Sequence, residues 1–255
     1  MERVRHSALL AYVGTDFHGW QMQRNASRTV QSVLEEALRF FADEPVRAVA
    51  AGRTDRGVHA DGQVVHFDLS GSRDPRAVRD GVNSILPWDA RLLEVAPAPA
   101  GFDARRDAVG KEYLYRWSRA DVIAPRDAPF VAPLSAAADA RRMAAAAALL
   151  PGRRDFGVFG VRRPDVDSVR TLHSVEIEEE GVELRARFRG NGFLRGMVRS
   201  IAGLLADISR ERVPPGRMAE ILASGDRRLL AQKAPASGLT LVKVEYGTPL
   251  FGGPV

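Results

Sequence analysis

The sequence predicts an α+β fold made of two tandem split β-α-β (ferredoxin-like) units, each with an antiparallel sheet and helices on one face. Three observations lead to this prediction. The first part of the chain has the order β-α-β-β-α-β, a Pro/Ala-rich stretch follows at residues 96–101, and a similar order of elements then recurs. The length of 255 residues is sufficient for two small domains. We therefore predict one domain over residues 1–104 and a second over residues 105–255.

The elements of the first half are predicted from apolar periodicity and from the residues that flank each run. Apolar residues with a spacing of about 3.6 positions predict helices, and short β-branched runs bounded by turn residues predict strands. A proline in its first turn supports the second helix. The predicted order is strand 7–13, helix 29–41, strand 47–52, strand 64–69, helix 75–84 and strand 91–96.

The second half repeats this pattern with longer helices. An alanine-rich segment has high helix propensity and ends at Pro151 and Gly152. The predicted order is strand 112–118, helix 136–150, strands 174–179 and 183–188, helix 193–207, a short helix 217–223 and strand 240–246.

Charge and composition indicate a polyanionic partner. The formal net charge is +5, and phosphate contacts provide most of the sequence-independent affinity for nucleic acids. Only three of the 37 basic residues are lysines, and arginine both binds phosphates through its planar fork and stacks on bases. A GC-rich genome that encodes arginine in place of lysine explains the same bias equally well. Charge alone therefore leaves the partner open.

Several classes of protein are excluded by residues that the sequence lacks. Without cysteine there is no disulfide, no thiolate nucleophile and no zinc-thiolate site, and the five histidines do not have the spacing of a metal motif. No G-x-S-x-G elbow is present for a hydrolase. No apolar run approaches a membrane span, and the first residues lack the apolar stretch of a signal peptide. We expect a cytoplasmic protein without a metal site.

Residues 51–60, A-G-R-T-D-R-G-V-H-A, are the most informative segment for chemistry. The strand before them ends at Gly52, and the chain turns at Gly57. In extended backbone, Arg53 and Asp55 share one face while Thr54 points to the other. By itself, Asp55 fits an ordinary turn residue better than a catalytic one, because Asp and Gly are enriched in turns.

This segment resembles the signature G-R-T-D-x-G-V-H-A of the tRNA pseudouridine synthase A (TruA) family. Six further segments are similar to family motifs and occur in the same order along nearly the whole chain. They are Y-V-G-T-D-F-H-G-W-Q at 12–21, G-Q-V-V-H-F at 62–67, K-E-Y-L-Y at 111–115, R-T at 170–171 with M-V-R-S-I at 197–201, and A-P-A-S-G-L at 234–239. Three positions depart from the family pattern, namely Val13, Arg56 and Asp103.

The resemblance implies a pseudouridine synthase fold, in which the two antiparallel sheets join side by side around a central cleft. It makes Asp55 the catalytic residue and Tyr113 a stacking face for the flipped uracil. It pairs Arg199 with the catalytic carboxylate, and it places Arg53 in the space that the flipped base leaves. Without the resemblance, Tyr113 fits a core aromatic and Arg199 fits a surface charge on a helix.

The resemblance also implies the substrate, which is tRNA with uridines 38 to 40 as targets, and a homodimer as the active form. Arg105 and Lys111 are further substrate contacts in this interpretation. The isomerisation requires no cofactor, because it has no net redox change and adds no outside group. Two other classes stay open from the residues alone. One is a non-catalytic RNA-binding protein, and the other is a phosphate-binding transferase, for which the glycines at 190–196 have the wrong spacing.

Overall fold

A computed structural model describes residues 2–23, 28–161 and 167–252. The chain forms two compact units, which are described separately below. Unit 1 consists of Met1–Val109 with Leu241–Val255, and unit 2 consists of Gly110–Thr240. Within the described ranges, none of the helices is long and apolar enough to cross a membrane.

Unit 1 contains the first split β-α-β pattern, and the predicted class is confirmed there. The order of elements is β1 (Arg3–Tyr12), α1 (Val30–Ala42), β2 (Val49–Ala50), β3 (His59–Ser70), α2 (Pro75–Ile85) and β4 (Ala90–Pro97). In the sheet, β1 lies between β4 and β3, and β2 pairs with β3; all three pairings are antiparallel. The two helices pack together where the ring of Phe41 covers Gly81, whose missing side chain leaves room for it.

The start of α1 follows directly from its sequence. Thr29 precedes the helix, and its hydroxyl accepts the backbone N–H of Ser32 at 3.1 Å. The hydroxyl of Ser32 accepts the backbone N–H of Thr29 at 3.1 Å in return. This reciprocal capping satisfies two donors that the first helical turn leaves without a partner, and such a cap stabilises a helix by about 1 kcal/mol.

One edge of the unit 1 sheet is important for the site. Tyr12, at the end of β1, lies opposite Ala60 near the start of β3 and opposite Ala90 at the start of β4. The loops that precede β3 and β4 therefore leave the sheet on the same side. We call this side the Tyr12 edge, defined by Tyr12, Ala60 and Ala90.

Unit 2 contains the second pattern. The order is β5 (Ala108–Ser118), β6 (Ala132–Pro133), α3 (Ala140–Ala147), β7 (Gly152–Asp155), β8 (Val169–Glu180), β9 (Glu183–Gly190), α4 (Met197–Ser209) and α5 (Arg217–Ser224). The strands follow the order β5-β9-β8-β7 with antiparallel neighbours, and β6 adds a short parallel pairing to β5. Helix α3 begins beside the end of α4, where the N–H of Asp139 donates to the carbonyl of Ser209 at 3.0 Å.

The last strand, β10 (Leu239–Tyr246), makes the two units differ from the predicted domains 1–104 and 105–255. From Leu241 onward it belongs to unit 1, where it lies beside β3. Gly62 of β3 approaches the backbone of Val242 so closely that any side chain at position 62 would overlap it. Tyr246 donates its hydroxyl to the carbonyl of Ala104 at 2.6 Å, which fixes the end of the strand in the same unit.

Most predicted elements are present, and the exceptions have local causes. The predicted strand 47–52 is reduced to Val49–Ala50, because the backbone of Gly52 bonds to the side chain of Gln63 and not to a neighbouring strand. The predicted helix 136–150 begins only at Ala140, where Asp139 caps it. The predicted helix 193–207 begins only at Met197, after Gly196 adopts a left-handed conformation with φ 75°. Strands β6 and β7 were not predicted, since each is too short to show a periodicity.

Candidate active site

Asp55 lies in the loop between β2 and β3, at the Tyr12 edge of unit 1. The predicted alternation is confirmed: Thr54 is buried, Asp55 is half-buried and Arg53 is exposed. The hydroxyl of Thr54 shares a 2.8 Å hydrogen bond with the phenol of Tyr12. The N–H of Val58 donates to the carbonyl of Asp55 at 3.1 Å and closes the turn. The carboxylate is therefore presented from a short turn whose backbone is fixed on both sides.

The segment that follows β1 holds this loop from outside. The N–H of Trp20 donates to the carbonyl of Thr54 at 3.1 Å, and the N–H of Gly57 donates to the carbonyl of Phe17 at 3.3 Å. Gly57 has φ 79°, which confirms the predicted turn at a glycine. The loop and the segment 12–20 therefore form one hydrogen-bonded layer around Asp55.

A buried histidine continues this layer. The N–H of Gly14 donates to Nδ1 of His59 at 3.0 Å, so the proton of a neutral His59 ring lies on Nε2. Burial raises the pKa of Tyr12 to about 12, which keeps its phenol protonated near neutral pH. Hydrogen bonds to Thr54 and to the backbone of Gly14 thus place Tyr12 and His59 in the layer around the Asp55 loop.

Gly14 is a position where a single methyl group is expected to disturb the site. A Cβ on Gly14 would overlap the carbonyl oxygen of Val58, the residue whose N–H closes the Asp55 turn. We expect Gly14→Ala to lower the free energy of unfolding by about 1–3 kcal/mol, because overpacking shifts the backbone. Urea unfolding measures this effect. Gly216→Ala is the matched control, since among the described residues no atom beyond its chain neighbours lies within 4 Å of its Cβ position. Equal behaviour of the two variants would contradict the prediction.

The side chain of Gln63 was not recognised as part of the site from the sequence. It is fully buried, and its Nε2 donates to the carbonyl of Gly52 at 2.7 Å. Its amide takes the place of a neighbouring strand at the point where the chain leaves β2 for the Asp55 loop. A buried glutamine within the apolar run of β3 was the available signal, because buried polar side chains require a partner.

Arg105 is exposed on the surface of unit 1 and follows one of the three departures from the family pattern. A carboxylate oxygen of Asp103 accepts the backbone N–H groups of Arg105 and Arg106, each at 2.9 Å. The aspartate at this position therefore stabilises the turn that presents Arg105. The turn is also joined to the sheet, because the N–H of Ala104 donates to Nδ1 of His66 at 3.0 Å.

Stability is expected to decrease as the pH is lowered from 7.5 to 5.5. Burial, assisted by the positive charge of Arg5, lowers the pKa of His66, and burial also lowers the pKa of His6. The unfolded chain then binds more protons than the folded chain below the unfolded histidine pKa of about 6.5, and each such group removes up to about 1.4 kcal/mol per pH unit. Urea unfolding across this range measures the slope. His66→Gln should flatten it and the exposed His173→Gln should not; equal slopes would refute the role of His66.

In unit 2, Lys111, Tyr113 and Tyr115 lie at alternate positions of β5. Tyr113 is 8% exposed and lies on the same face as the buried Tyr115. The ring of Phe193 packs edge-to-face on Tyr113, with 5.1 Å between the ring centroids. Lys111 is half-buried and pairs in register with Gly190 of β9. The loop 190–196 therefore contacts the Tyr113 ring just before the chain enters α4.

Arg199 lies on a helix, as predicted, and because α4 begins at Met197 it lies in the first turn, where the backbone fixes its orientation. Its Nε donates to the carbonyl of Ala234 at 2.8 Å, and the N–H of Ala234 donates to the carbonyl of Arg199 at 2.9 Å. The next residue, Pro235, accepts the hydroxyl of Tyr115 at 2.7 Å. Burial raises the pKa of Tyr115, and the charge of Arg199 opposes this increase. Arg199 is thus close to the Tyr113–Tyr115 face of β5.

The predicted site residues fall into two groups. Unit 1 carries Asp55 and Arg53 on one loop and Arg105 on a separate turn, whereas unit 2 carries Lys111 and Tyr113 on β5 and Arg199 on α4. Two side chains that were not predicted as site residues support these groups: Gln63 bonds to the backbone of Gly52, before the Asp55 loop, and Phe193 packs on Tyr113. The pairing of Arg199 with Asp55 stays a prediction of the resemblance.

Comparisons with known proteins are consistent with one another over nearly the whole chain. A family model described as tRNA pseudouridine synthase matches residues 8–105 and 146–247. A protein named tRNA pseudouridine synthase A from Listeria innocua is 39% identical over 247 residues, which cover 95% of this chain and 99% of that protein. Proteins of the same name from Solidesulfovibrio magneticus and Exiguobacterium sibiricum are 41% identical over 260 residues and 37% identical over 243 residues. The first alignment covers 99% of this chain and 94% of the relative, and the second covers 95% and 96%.

Proposed function

Because this chain belongs to the tRNA pseudouridine synthase family, we propose that it isomerises uridines 38 to 40 in the anticodon stem-loop of tRNAs, with Asp55 as the catalytic nucleophile or base. The family membership establishes an isomerase that converts uridine to pseudouridine in tRNA, and with it the predicted pseudouridine synthase fold. The target positions and the role of Asp55 are the proposal. The observation that carries it is the presentation of Asp55 from a turn that Tyr12, Phe17 and Trp20 hold by hydrogen bonds.

The reaction defines what the residues must do. The bond from N1 of uracil to C1′ of ribose breaks, the base turns, and C5 bonds to C1′; C5 loses a proton and N1 gains one, so the redox state is unchanged. A positioned carboxylate is sufficient to begin this sequence, either by attack on C6 or C1′ or by removal of a sugar proton. No cofactor takes part in the proposed mechanism.

Asp55 supports this role by its accessibility and its rigidity. Asp55 is half-buried, which leaves part of the residue accessible to a nucleotide, while the neighbouring Thr54 is buried and bonded to Tyr12. Fixed geometry lowers the entropic cost of reaching the transition state. The proposal leaves the atom that Asp55 attacks open among the three possibilities above.

The other predicted residues bind the flipped nucleotide and the RNA backbone in this proposal. Extrusion of a nucleotide costs a few kcal/mol, and stacking with phosphate contacts offsets this cost. The ring of Tyr113 is held on edge by Phe193 and supplies a stacking face. Arg53 fills the position that the base has left, and Arg199 orients the carboxylate. Arg105 and Lys111 contact the RNA. The exposed position of Arg105 supports such a contact for this residue.

The proposed assembly is a homodimer in the cytoplasm. The homodimer is supported by the resemblance to a family whose joint surface binds tRNA. The net charge of +5 supports the polyanionic ligand. Light scattering of the purified protein, alone and with tRNA, measures the assembly. A complex whose mass equals a single chain bound to tRNA at saturation would contradict the homodimer.

The proposed function is tested directly with an unmodified tRNA transcript that carries uridines at positions 38 to 40. The purified chain is incubated with this transcript without added metal or cofactor, and pseudouridine is mapped by reverse-transcriptase stops after carbodiimide treatment. Stops at those uridines are the expected result. Tight tRNA binding without stops would favour a non-catalytic RNA-binding protein, and stops at other uridines would overturn the assignment of the anticodon stem-loop.

A further inference from the structure

Trp88 is the most unusual surface residue of unit 1. Its side chain is 74% exposed, whereas the other two tryptophans, Trp20 and Trp117, are 2% and 1% exposed. Tryptophan is a large apolar residue that is highly buried on average, and an exposed one often marks a binding contact. Exposure of this ring therefore requires an explanation.

The turn that carries Trp88 is firmly fixed. The N–H of Ala90 donates to the carbonyl of Pro87 at 3.1 Å and closes a tight turn around the tryptophan. One guanidinium nitrogen of Arg91 donates to the carbonyls of Leu86, Pro87 and Ala90. The guanidinium of Arg91 thus bonds to the backbone on both sides of Trp88.

An ion pair between the buried Asp89 and the half-buried Arg28 fixes the same turn from the other side. Asp89 is buried, and both of its carboxylate oxygens accept from the guanidinium of Arg28 at 2.8 Å. The guanidinium also lies 4.1 Å from the ring centre of Phe17. The carbonyl of Asp89 accepts the N–H of Val13 at 2.9 Å. A rigid turn presents an exposed ring at a low entropic cost of binding.

The turn lies on the same side of the sheet as the proposed catalytic loop. Asp55 precedes β3 and Trp88 precedes β4, and the starts of both strands lie opposite Tyr12 at the Tyr12 edge. Strands β3 and β4 are separated only by β1, so their ends are about 10 Å apart at the usual strand spacing. Phe17 contacts both the Asp55 loop and the ion pair of the Trp88 turn. Its carbonyl accepts the N–H of Gly57, and its ring lies against Arg28.

We propose that Trp88 is a stacking platform for an unpaired base of the tRNA that the Asp55 loop modifies. This inference rests on the proposed function and assigns a substrate contact outside the six predicted site residues. A base offers a flat π-face to the exposed indole ring, and such stacking tolerates any sequence. The position beside the Asp55 loop favours RNA as the partner over a second copy of the chain.

The test compares Trp88→Ala and Trp88→Phe with the unsubstituted chain. Each protein is titrated into labelled unmodified tRNA transcript, and kcat and KM are measured for pseudouridine formation. We expect Trp88→Ala to raise the dissociation constant and KM about tenfold while kcat is retained, and Trp88→Phe to stay within about threefold because a ring is kept. Phe40→Ala is the matched control. Phe40 is 58% exposed near the end of α1, and Glu44 beyond it bonds to Ser70, at the opposite end of β3 from Ala60.

Fluorescence supplies a second, direct readout. Trp20 and Trp117 are buried, so acrylamide quenches mainly Trp88 in the free protein. Bound tRNA should reduce this quenching, and Trp88→Phe should remove the effect of tRNA. Unchanged quenching with tRNA bound, or a Trp88→Ala variant that binds like Phe40→Ala, would overturn the platform.

Two further results separate the possible failures. A shift of Trp88→Ala to a smaller assembly in light scattering, with tRNA affinity unchanged, would show that a second copy covers Trp88 and would overturn the inference. Protection of Trp88 by tRNA without pseudouridine formation by the unsubstituted chain would support the platform while refuting the proposed function.

Discussion

Replacement of Asp55 by asparagine is expected to abolish pseudouridine formation while tRNA binding stays within about twofold of the unsubstituted chain. The amide keeps the size of the side chain but is neither a nucleophile nor a base. The turn is held by two backbone hydrogen bonds that do not involve the carboxylate. The N–H of Trp20 donates to the carbonyl of Thr54, and the N–H of Val58 donates to the carbonyl of Asp55. Loss of a nucleophile lowers turnover by about 10⁴-fold or more. Reverse-transcriptase mapping and a tRNA titration measure turnover and affinity on the same samples.

The control for this substitution is Asp80→Asn on α2, an exposed carboxylate that pairs with Arg79. It makes the same change of charge away from the Tyr12 edge and should retain full turnover. Equal losses of binding and turnover in Asp55→Asn would show that Asp55 acts as a structural residue. Retained turnover would exclude it as a nucleophile or base.

The surroundings of Asp55 show which parts of the site the sequence predicts. The glycine turn and the alternation of Arg53, Thr54 and Asp55 are local properties, and both are confirmed, whereas the predicted strand is present only as Val49–Ala50. The support from Tyr12 and Gln63 is not local. It depends on tertiary contacts across 42 and 11 positions, respectively. Chain periodicity contains no information about such contacts, so the predicted strand 47–52 was too long.

The same distinction applies to the last strand and to Trp88. The pattern of residues 240–246 correctly predicts a strand, but its partner is determined by the close approach of Gly62 to Val242. Trp88 stands between a proline and an aspartate, and an apolar ring in that context fits the core and the surface equally well. Its exposure follows from Arg28 and Arg91, which hold the turn from two sides.

Tyr113→Ala is expected to lower kcat/KM by about 100-fold, whereas Tyr113→Phe should lower it by less than about tenfold. The proposed role of Tyr113 is to offer a ring face to the flipped uracil, and stacking of one base contributes about 1–3 kcal/mol. Phenylalanine keeps this face and the edge-to-face contact with Phe193, while alanine removes both. Steady-state kinetics with the tRNA transcript measure the difference.

Loss of a buried ring also destabilises the fold, so the Tyr113 effect requires a control of similar structural cost. Phe159→Ala removes a fully buried ring in the same unit, and truncation of a buried phenylalanine costs about 3–5 kcal/mol. Both variants are assayed at a temperature at which circular dichroism shows them folded. If stacking is the function of Tyr113, Phe159→Ala retains kcat/KM and Tyr113→Ala does not. Equal losses in Tyr113→Phe and Tyr113→Ala would make the phenolic hydroxyl the essential group, and equal losses in Tyr113→Ala and Phe159→Ala would reduce Tyr113 to a core residue.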